Sequence, residues 1–213
     1  MNEERYTDFW TFLRLLSENQ LLEHVVLIGS WAEYIYAQAG ILKGFEAELR
    51  TLDIDFLVKN LKRPTKAVSL EQLAKESGYI IDRDILNNTT KIYSPGFMEI
   101  EFLIAQQGSG AETVIKTNLG VNAQALRHMS VIKENVILVE LFGMKINVPS
   151  PESYVIHKMI INNQRGPKQE KDAASIVNLL KYIDVSEYER IMQNLTKKEK
   201  KKVEDFQSGL NAQ

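Results

Sequence analysis

The chain has 213 residues, with 26 Lys and Arg against 28 Asp and Glu, and no cysteine. That length is enough for a core that needs no disulfide or structural metal, and the missing thiols exclude zinc–thiolate sites and cysteine nucleophiles. A formal net charge of −2 lacks the broad basic footprint of a protein that grips long nucleic acid. The N-terminal MNEERYTDFW has no apolar signal core, and no apolar run reaches the roughly 18 residues of a membrane span. A bacterial-type cytoplasmic protein with no membrane partner is therefore expected.

In chain order, residues 6–22 space Phe9, Phe12, Leu13 and Leu16 for an amphipathic helix. HVVLIGS follows, a buried strand closing in a tight Gly29-Ser30 turn, and WAEYIYAQAG returns to helical spacing. LDIDFLV (52–58) alternates apolar residues with Asp53 and Asp55, as a strand does. SLEQLAKESG (69–78) reads as a helix with Ser69 as its capping serine and Gly78 as its stop. GYIID, TTKIYS and FMEIEFLI (97–104) read as strands, the last two joined by Ser94-Pro95-Gly96 in a hairpin. Residues 105–120 are polar and glycine-rich, which predicts a loop. NVILVEL and MKINVPS flank Gly143 as a second hairpin. From Pro151 onward the pattern is helical, ending in a KKEKKK run that reads as a solvated helix face. The order predicts an α/β fold with a C-terminal helical part, divided as a catalytic domain over 1–150 and a helical region over 151–213 packed on it.

Strand residues two apart project to the same side, so Asp53 and Asp55 lie together, as do Glu99 and Glu101. Burying adjacent carboxylates without compensation costs several kcal/mol, and a hard divalent cation such as Mg²⁺ resolves the conflict with oxygen ligands. If the two strands are neighbours, a third carboxylate reaches the aspartate pair. Three carboxylates can hold two ions, one activating an attacking oxygen and one stabilising a leaving pyrophosphate. Gly29-Ser30, at a strand-to-helix turn, offers backbone N–H groups and a hydroxyl to a triphosphate.

LIGSW, then LDIDFLV, then MEIEFLI resembles the signature of the nucleotidyltransferase superfamily, whose catalytic domain is similar to that of DNA polymerase beta. The resemblance covers most of residues 20–180. It implies a mixed β-sheet flanked by helices, with transfer of a nucleoside monophosphate from an NTP, ATP among the candidates, to an acceptor hydroxyl. It implies two Mg²⁺ or Mn²⁺ ions on Asp53, Asp55 and Glu101, with the triphosphate on Gly29 and Ser30. Glu101 is preferred to Glu99 because it opens the apolar EFLI tail. Two departures stand out: a long stretch, including ILKGFEAELRT, between Ser30 and Asp53, and Glu where many members use Asp. PSPESYVIHKMIINNQR and KQEKDAASIVNLL resemble the helical region of the branch that includes abortive-infection toxins, which assigns Lys158, Arg165, Lys171 and Asp172 to the nucleotide. A small molecule such as an aminoglycoside, a tRNA end or a protein side chain fits as acceptor. The alternative is a silent member that binds nucleotide or a partner protein.

His24, His128 and His157 are too scattered to suggest a metal site, and His157 reads as structural. Trp31 and Tyr34 read as core residues, and Lys91 as a surface lysine.

Overall fold

The computed structural model describes residues 3–47, 53–59, 69–106, 108 and 110–211. Helix α1 (Glu3–Glu18) buries Phe9, Phe12, Leu13 and Leu16 on one stripe. It stops short of the predicted residue 22, because the chain turns at Gln20 with a left-handed φ of 58°. Strand β1 (Val25–Ile28) is buried along its whole length, and α2 (Ser30–Gln38) begins directly after Gly29. Strand β2 (Asp53–Val58) follows. Leu52 and the end of the ILKGFEAELRT stretch lie outside the described residues.

Helix α3 (Leu70–Glu76) has Ser69 at its N-cap, but the Ser69 side chain makes no cap hydrogen bond, contrary to the expected role. Gly120 approaches it instead, close enough that an added Cβ would lie 2.9 Å from Ser69 Oγ. The helix ends at Gly78, whose φ of +86° suits a residue without Cβ. Strands β3 (Ile80–Arg83), β4 (Thr90–Tyr93) and β5 (Glu99–Ala105) form a meander, with the predicted hairpin between the last two.

The expected loop over 105–120 contains a short strand, β6 (Val114–Lys116), which pairs antiparallel with β7 (Asn122–Leu126). Its isolated residues carry no alternating apolar pattern, since Ile115 and Lys116 are both exposed. Pairing with β7 rather than burial makes it a strand. Helix α4 (Ser130–Glu134), then β8 (Val136–Leu141) and β9 (Met144–Pro149), follow as the second hairpin. The C-terminal helices are α5 (Pro151–Ile161), α6 (Gln169–Leu179), α7 (Val185–Asn194) and α8 (Lys197–Asn211). Ser150 caps α5 by accepting from Ser153 N at 3.2 Å, with Pro151 in the first turn, where no N–H is missed.

Among the described residues the main sheet has seven strands, ordered β1-β2-β5-β4-β3 on its main path. β7 joins the C-terminal half of β5, and β6 pairs with β7. The sheet is mixed: β2 and β7 run parallel to β5, while β1 and β4 run antiparallel to their neighbours. On one face Ile54, Phe56, Val58, Ile100 and Phe102 join α1 and α2 in the main core. Each such side chain contributes about 1.5–3 kcal/mol of burial. The other face carries Asp53, Asp55, Glu99 and Glu101 toward the start of β2 and β5. Further along those strands a small apolar patch forms, in which Val26, Ile28 and Leu57 meet Met129 and Ile132. Among the described residues no helix is long and apolar enough to cross a membrane.

The two-stranded β8–β9 sheet is tied to the body by buried polar bonds. Asn147 donates to Leu22 O at 2.9 Å and Val25 O at 3.2 Å, and the Tyr36 hydroxyl donates to Pro149 O at 2.8 Å.

Candidate active site

The parallel pairing of β2 and β5 sets Asp53 opposite Glu99 and Asp55 opposite Glu101. Four carboxylates therefore share one patch of one sheet face. The strands are strongly held in this register, because slipping by one residue would turn Ile54, Phe56, Ile100 and Phe102 out of the core. β1 completes the arrangement: its Ile28 stands opposite Asp55, so the next residue, Gly29, lies beside the Asp55 carboxylate. A Cβ on Gly29 would come to 2.8 Å of Asp55 Oδ2. Gly29 also has φ 71° and ψ −162°, a conformation essentially confined to glycine.

Burial raises the Asp55 pKa to about 6, helped by the negative charges of Glu101 and Asp53 and opposed by Lys168 and Arg165. Glu101 is raised as well, first by burial, with Lys91 pulling it down. The Ser30 hydroxyl, at the first position of α2, is buried without a hydrogen-bond partner among the described residues.

Lys91, expected at the surface, extends from β4 into this patch. Its ammonium donates to Glu99 Oε1 and lies 3.1 Å from Glu101 Oε1. The cause is register: Lys91 on β4 pairs with Glu101 on β5, so the lysine flanks the carboxylate ladder. Both acids hold its pKa well above the usual lysine range, with Glu99 the larger influence.

The donor set fits a divalent cation. Asp53, Asp55 and Glu101 are hard oxygen donors on one face, burial and then the neighbouring acids raise the Asp55 pKa, and the Gly29 cradle and unpartnered Ser30 hydroxyl suit the phosphates that accompany such an ion. Among the described residues, however, no three His, Asp or Glu side chains are drawn together into a finished metal-binding set.

The helices supply the positive side. Lys158 on α5 donates to Glu33 Oε1 on α2 at 2.8 Å and to Ser175 Oγ on α6 at 2.9 Å, and it lies 3.7 Å from Asp172. The Tyr154 hydroxyl and Ser175 also donate to Glu33, each at 2.9 Å. Arg165 binds Asp172 through Nε at 2.8 Å. Lys158, Arg165 and Asp172 thus come together as one network, while Lys171 is exposed and makes no hydrogen bond or ion pair among the described residues. The cations acting on Asp55 are Lys168 and Arg165. Lys168 was not legible in sequence because it stands in a 3-10 turn, Gly166–Lys168, where helical spacing from Lys158 does not apply. Glu33 and Ser175 were missed too. An acid three residues after Ser30 was the one available hint.

His157 is buried, and its pKa is pushed down to about 3 by burial and then by His128, Arg165 and Lys158. Trp31 is buried and stacks on Phe9 at 4.0 Å, and Tyr34 packs against Trp31 and Tyr6.

A mixed sheet bearing an aspartate pair, a facing glutamate and a glycine-serine turn defines a nucleotidyl-transfer class of protein, and comparison with known families agrees. A nucleotidyltransferase family model matches residues 8–198. The chain belongs to that nucleotidyltransferase family, an enzyme class that uses an NTP as substrate. No curated protein matches it.

Several solved structures are similar, three of them as follows. An antigenic nucleotidyltransferase-like protein from Paracoccidioides brasiliensis is 18% identical with a TM-score of 0.46, covering 97% of this chain and 94% of its own. The antibiotic-resistance factor ANT(2'')-Ia is 13% identical with a TM-score of 0.45, covering 100% and 96%. The Megavirus polyadenylate synthase is 14% identical with a TM-score of 0.45, and the alignment covers 84% of this chain but 31% of that one. At these scores the structural likeness carries no argument, and membership rests on the family model.

Proposed function

We propose that the chain transfers a nucleoside monophosphate from an NTP to an acceptor hydroxyl and releases pyrophosphate, using Asp53, Asp55 and Glu101. The observation that supports this most is the facing of Asp55 and Glu101 across β2 and β5, beside the Gly29 turn. In this reading Asp53 and Asp55 hold Mg²⁺, or Mn²⁺, with Glu101 completing a two-ion site. The metal, when bound, supplies charge neutralisation at the α-phosphate and activation of the attacking oxygen. The acceptor oxygen bonds to the α-phosphorus as the bond to the pyrophosphate oxygen breaks. Glu101, made more basic by burial, takes the hydroxyl proton. Gly29 lets the backbone approach the triphosphate, and Ser30 donates its unpartnered hydroxyl. Arg165 and Lys168 steady the charge that builds on the leaving group.

This reading keeps residues 1–150 as the catalytic part and 151–213 as a helical region packed on it, with the cytoplasm as the compartment. The kinship of the helical region with abortive-infection toxins is part of the proposal, supported by the Lys158–Asp172–Arg165 network. Lys171 and Asp172 then have different roles: Asp172 orients Arg165, and exposed Lys171 is free to meet an incoming nucleotide.

A second reading, nucleotide binding without transfer, draws on the hold of Lys91 over Glu101. Pyrophosphate release from each NTP with Mg²⁺ separates the two. Asp55→Asn and Asp53→Asn should each lower release by roughly 10³-fold, the scale of losing a main electrostatic group of a reaction centre. Nucleotide binding by the native protein with no release under any acceptor supplied would favour the second reading.

A further inference from the structure

A separate pocket of about 460 Å³ opens where α8 meets the end of β7, lined by Arg127, His128, Gln164, Lys198, Lys202 and Glu112. It holds three permanent cations against one lining carboxylate. That carboxylate is engaged, because Glu112 accepts from the Arg127 backbone N–H at 3.1 Å. Lys198 is exposed and makes no hydrogen bond or ion pair among the described residues. Such crowding of like charge is unfavourable in the protein alone and calls for an anion.

The pocket also has a supported polar side. Buried Glu199 accepts from the Thr196 backbone and hydroxyl at 3.1 and 2.8 Å, and it holds His128 Nδ1 at 2.8 Å. With its proton on Nδ1, His128 leaves Nε2 to accept from Lys202 Nζ at 3.1 Å. A chain from Thr196 through Glu199 and His128 thus orients the Lys202 ammonium. His128 holds this place with a left-handed φ of 64°, an uncommon conformation for a residue with Cβ. Gln164 lines the pocket, and the next residue in the chain, Arg165, is one of the cations acting on Asp55.

We propose that this pocket binds a phosphate group of the acceptor substrate, with Lys198, Lys202 and Arg127 as its cationic contacts and His128 as the positioning residue for Lys202. The proposal rests on the transferase reading for the word acceptor, while the phosphate site itself stands on the pocket geometry. The shared chemistry is a phosphate ester, from either a small phosphorylated compound or a polynucleotide end. Three ammonium or guanidinium groups outnumbering the one lining carboxylate suit the three oxygens of such a group. They also explain how a chain of near-neutral total charge could still select an anionic acceptor, through a local patch rather than a global field.

Amide NMR of the full chain, titrated with inorganic phosphate at low ionic strength, tests this. Shifts should centre on Arg127, His128, Gln164 and residues 198–202, and Lys198→Ala/Lys202→Ala should weaken binding by about tenfold, the worth of one or two charge-assisted hydrogen bonds. Lys198→Glu, a change at an exposed position, should weaken it as well with an unchanged melting temperature. Unchanged affinity in both variants, or shifts confined to other surfaces, would overturn the site. Ribose 5-phosphate and a 5′-phosphorylated trinucleotide then distinguish the sources, the tighter of the two naming the acceptor class. In parallel, thermal stabilisation by NTP and Mg²⁺ is recorded for the same variants. Its absence with the pocket shifts intact counts against the transferase reading alone, and lost pocket shifts with NTP stabilisation intact count against the phosphate site alone.

Discussion

Two groups of carboxylates in this molecule, one buried between helices and one half-buried on the sheet, are treated in opposite ways. In the helical network, Glu33 receives hydrogen bonds from Lys158, Tyr154 and Ser175, and Asp172 is bound by Arg165. On the sheet, Asp53, Asp55, Glu99 and Glu101 face one another, and Lys91 contacts the glutamate side. The first group is a balanced structural joint between α2, α5 and α6. The second sets like charges face to face across two strands, where burial and then Glu101 and Asp53 raise the Asp55 pKa. Buried charge by itself therefore does not mark a reaction centre; the degree to which the surrounding chain answers it does.

The contrast can be broken most forcefully at the balanced group. Lys158→Met leaves Glu33 withdrawn from water without its cation, and should destabilise the protein by about 3 kcal/mol or more in urea or guanidinium unfolding. A loss under about 1 kcal/mol would mean that Tyr154 and Ser175 suffice and that the joint is not ionic in any energetic sense.

The opposite outcome is expected on the sheet. The folded protein holds the Asp55 proton up to about pH 6, above its ordinary value of 3.8, so the native state binds more protons than the unfolded chain between those two values. Stability therefore falls as pH rises through that window and stays lower above it. Asp55→Asn should raise the stability of the metal-free protein at pH 8 by about 2 kcal/mol and leave it nearly unchanged at pH 4. Equal effects at both pH values would mean that the change acts through packing against Gly29 and not through charge.

The smallest expected effect sharpens the role of Lys91. Lys91→Met releases Glu99 and Glu101, so the Mg²⁺ concentration that half-stabilises the protein should drop by about two- to fivefold, the worth of a partly exposed ion pair. A rise instead would assign Lys91 to holding Glu101 in its binding position rather than competing for it.

Much of this site was legible because its pieces are local. The apolar strand ending in Gly29-Ser30, the alternation that pairs Asp53 with Asp55, and the turn that delivers Glu99 and Glu101 each follow from a few adjacent residues. What required the three-dimensional chain was register and angle. Nothing near Lys91 in sequence indicates that β4 would carry it alongside Glu101, so a surface role was the natural expectation. Lys171 came from the Lys-Asp match of the resemblance, which does not reach Lys168, and Lys168 stands in a 3-10 turn before α6 begins. β6 escaped notice because its strand character comes from its partner β7, and Ser69 matched a capping pattern that its side chain does not satisfy.

The order β1-β2-β5-β4-β3 also carries a kinetic consequence. The β3–β4–β5 meander closes through contacts near in sequence, whereas β2 must find β5 across the whole intervening meander, a pairing with a larger loop-closure cost. Asp55 meets Glu101 only through that pairing, so a form that holds the meander without β2 docked on β5 has no assembled candidate site, and its carboxylates come face to face together with the closure of the sheet.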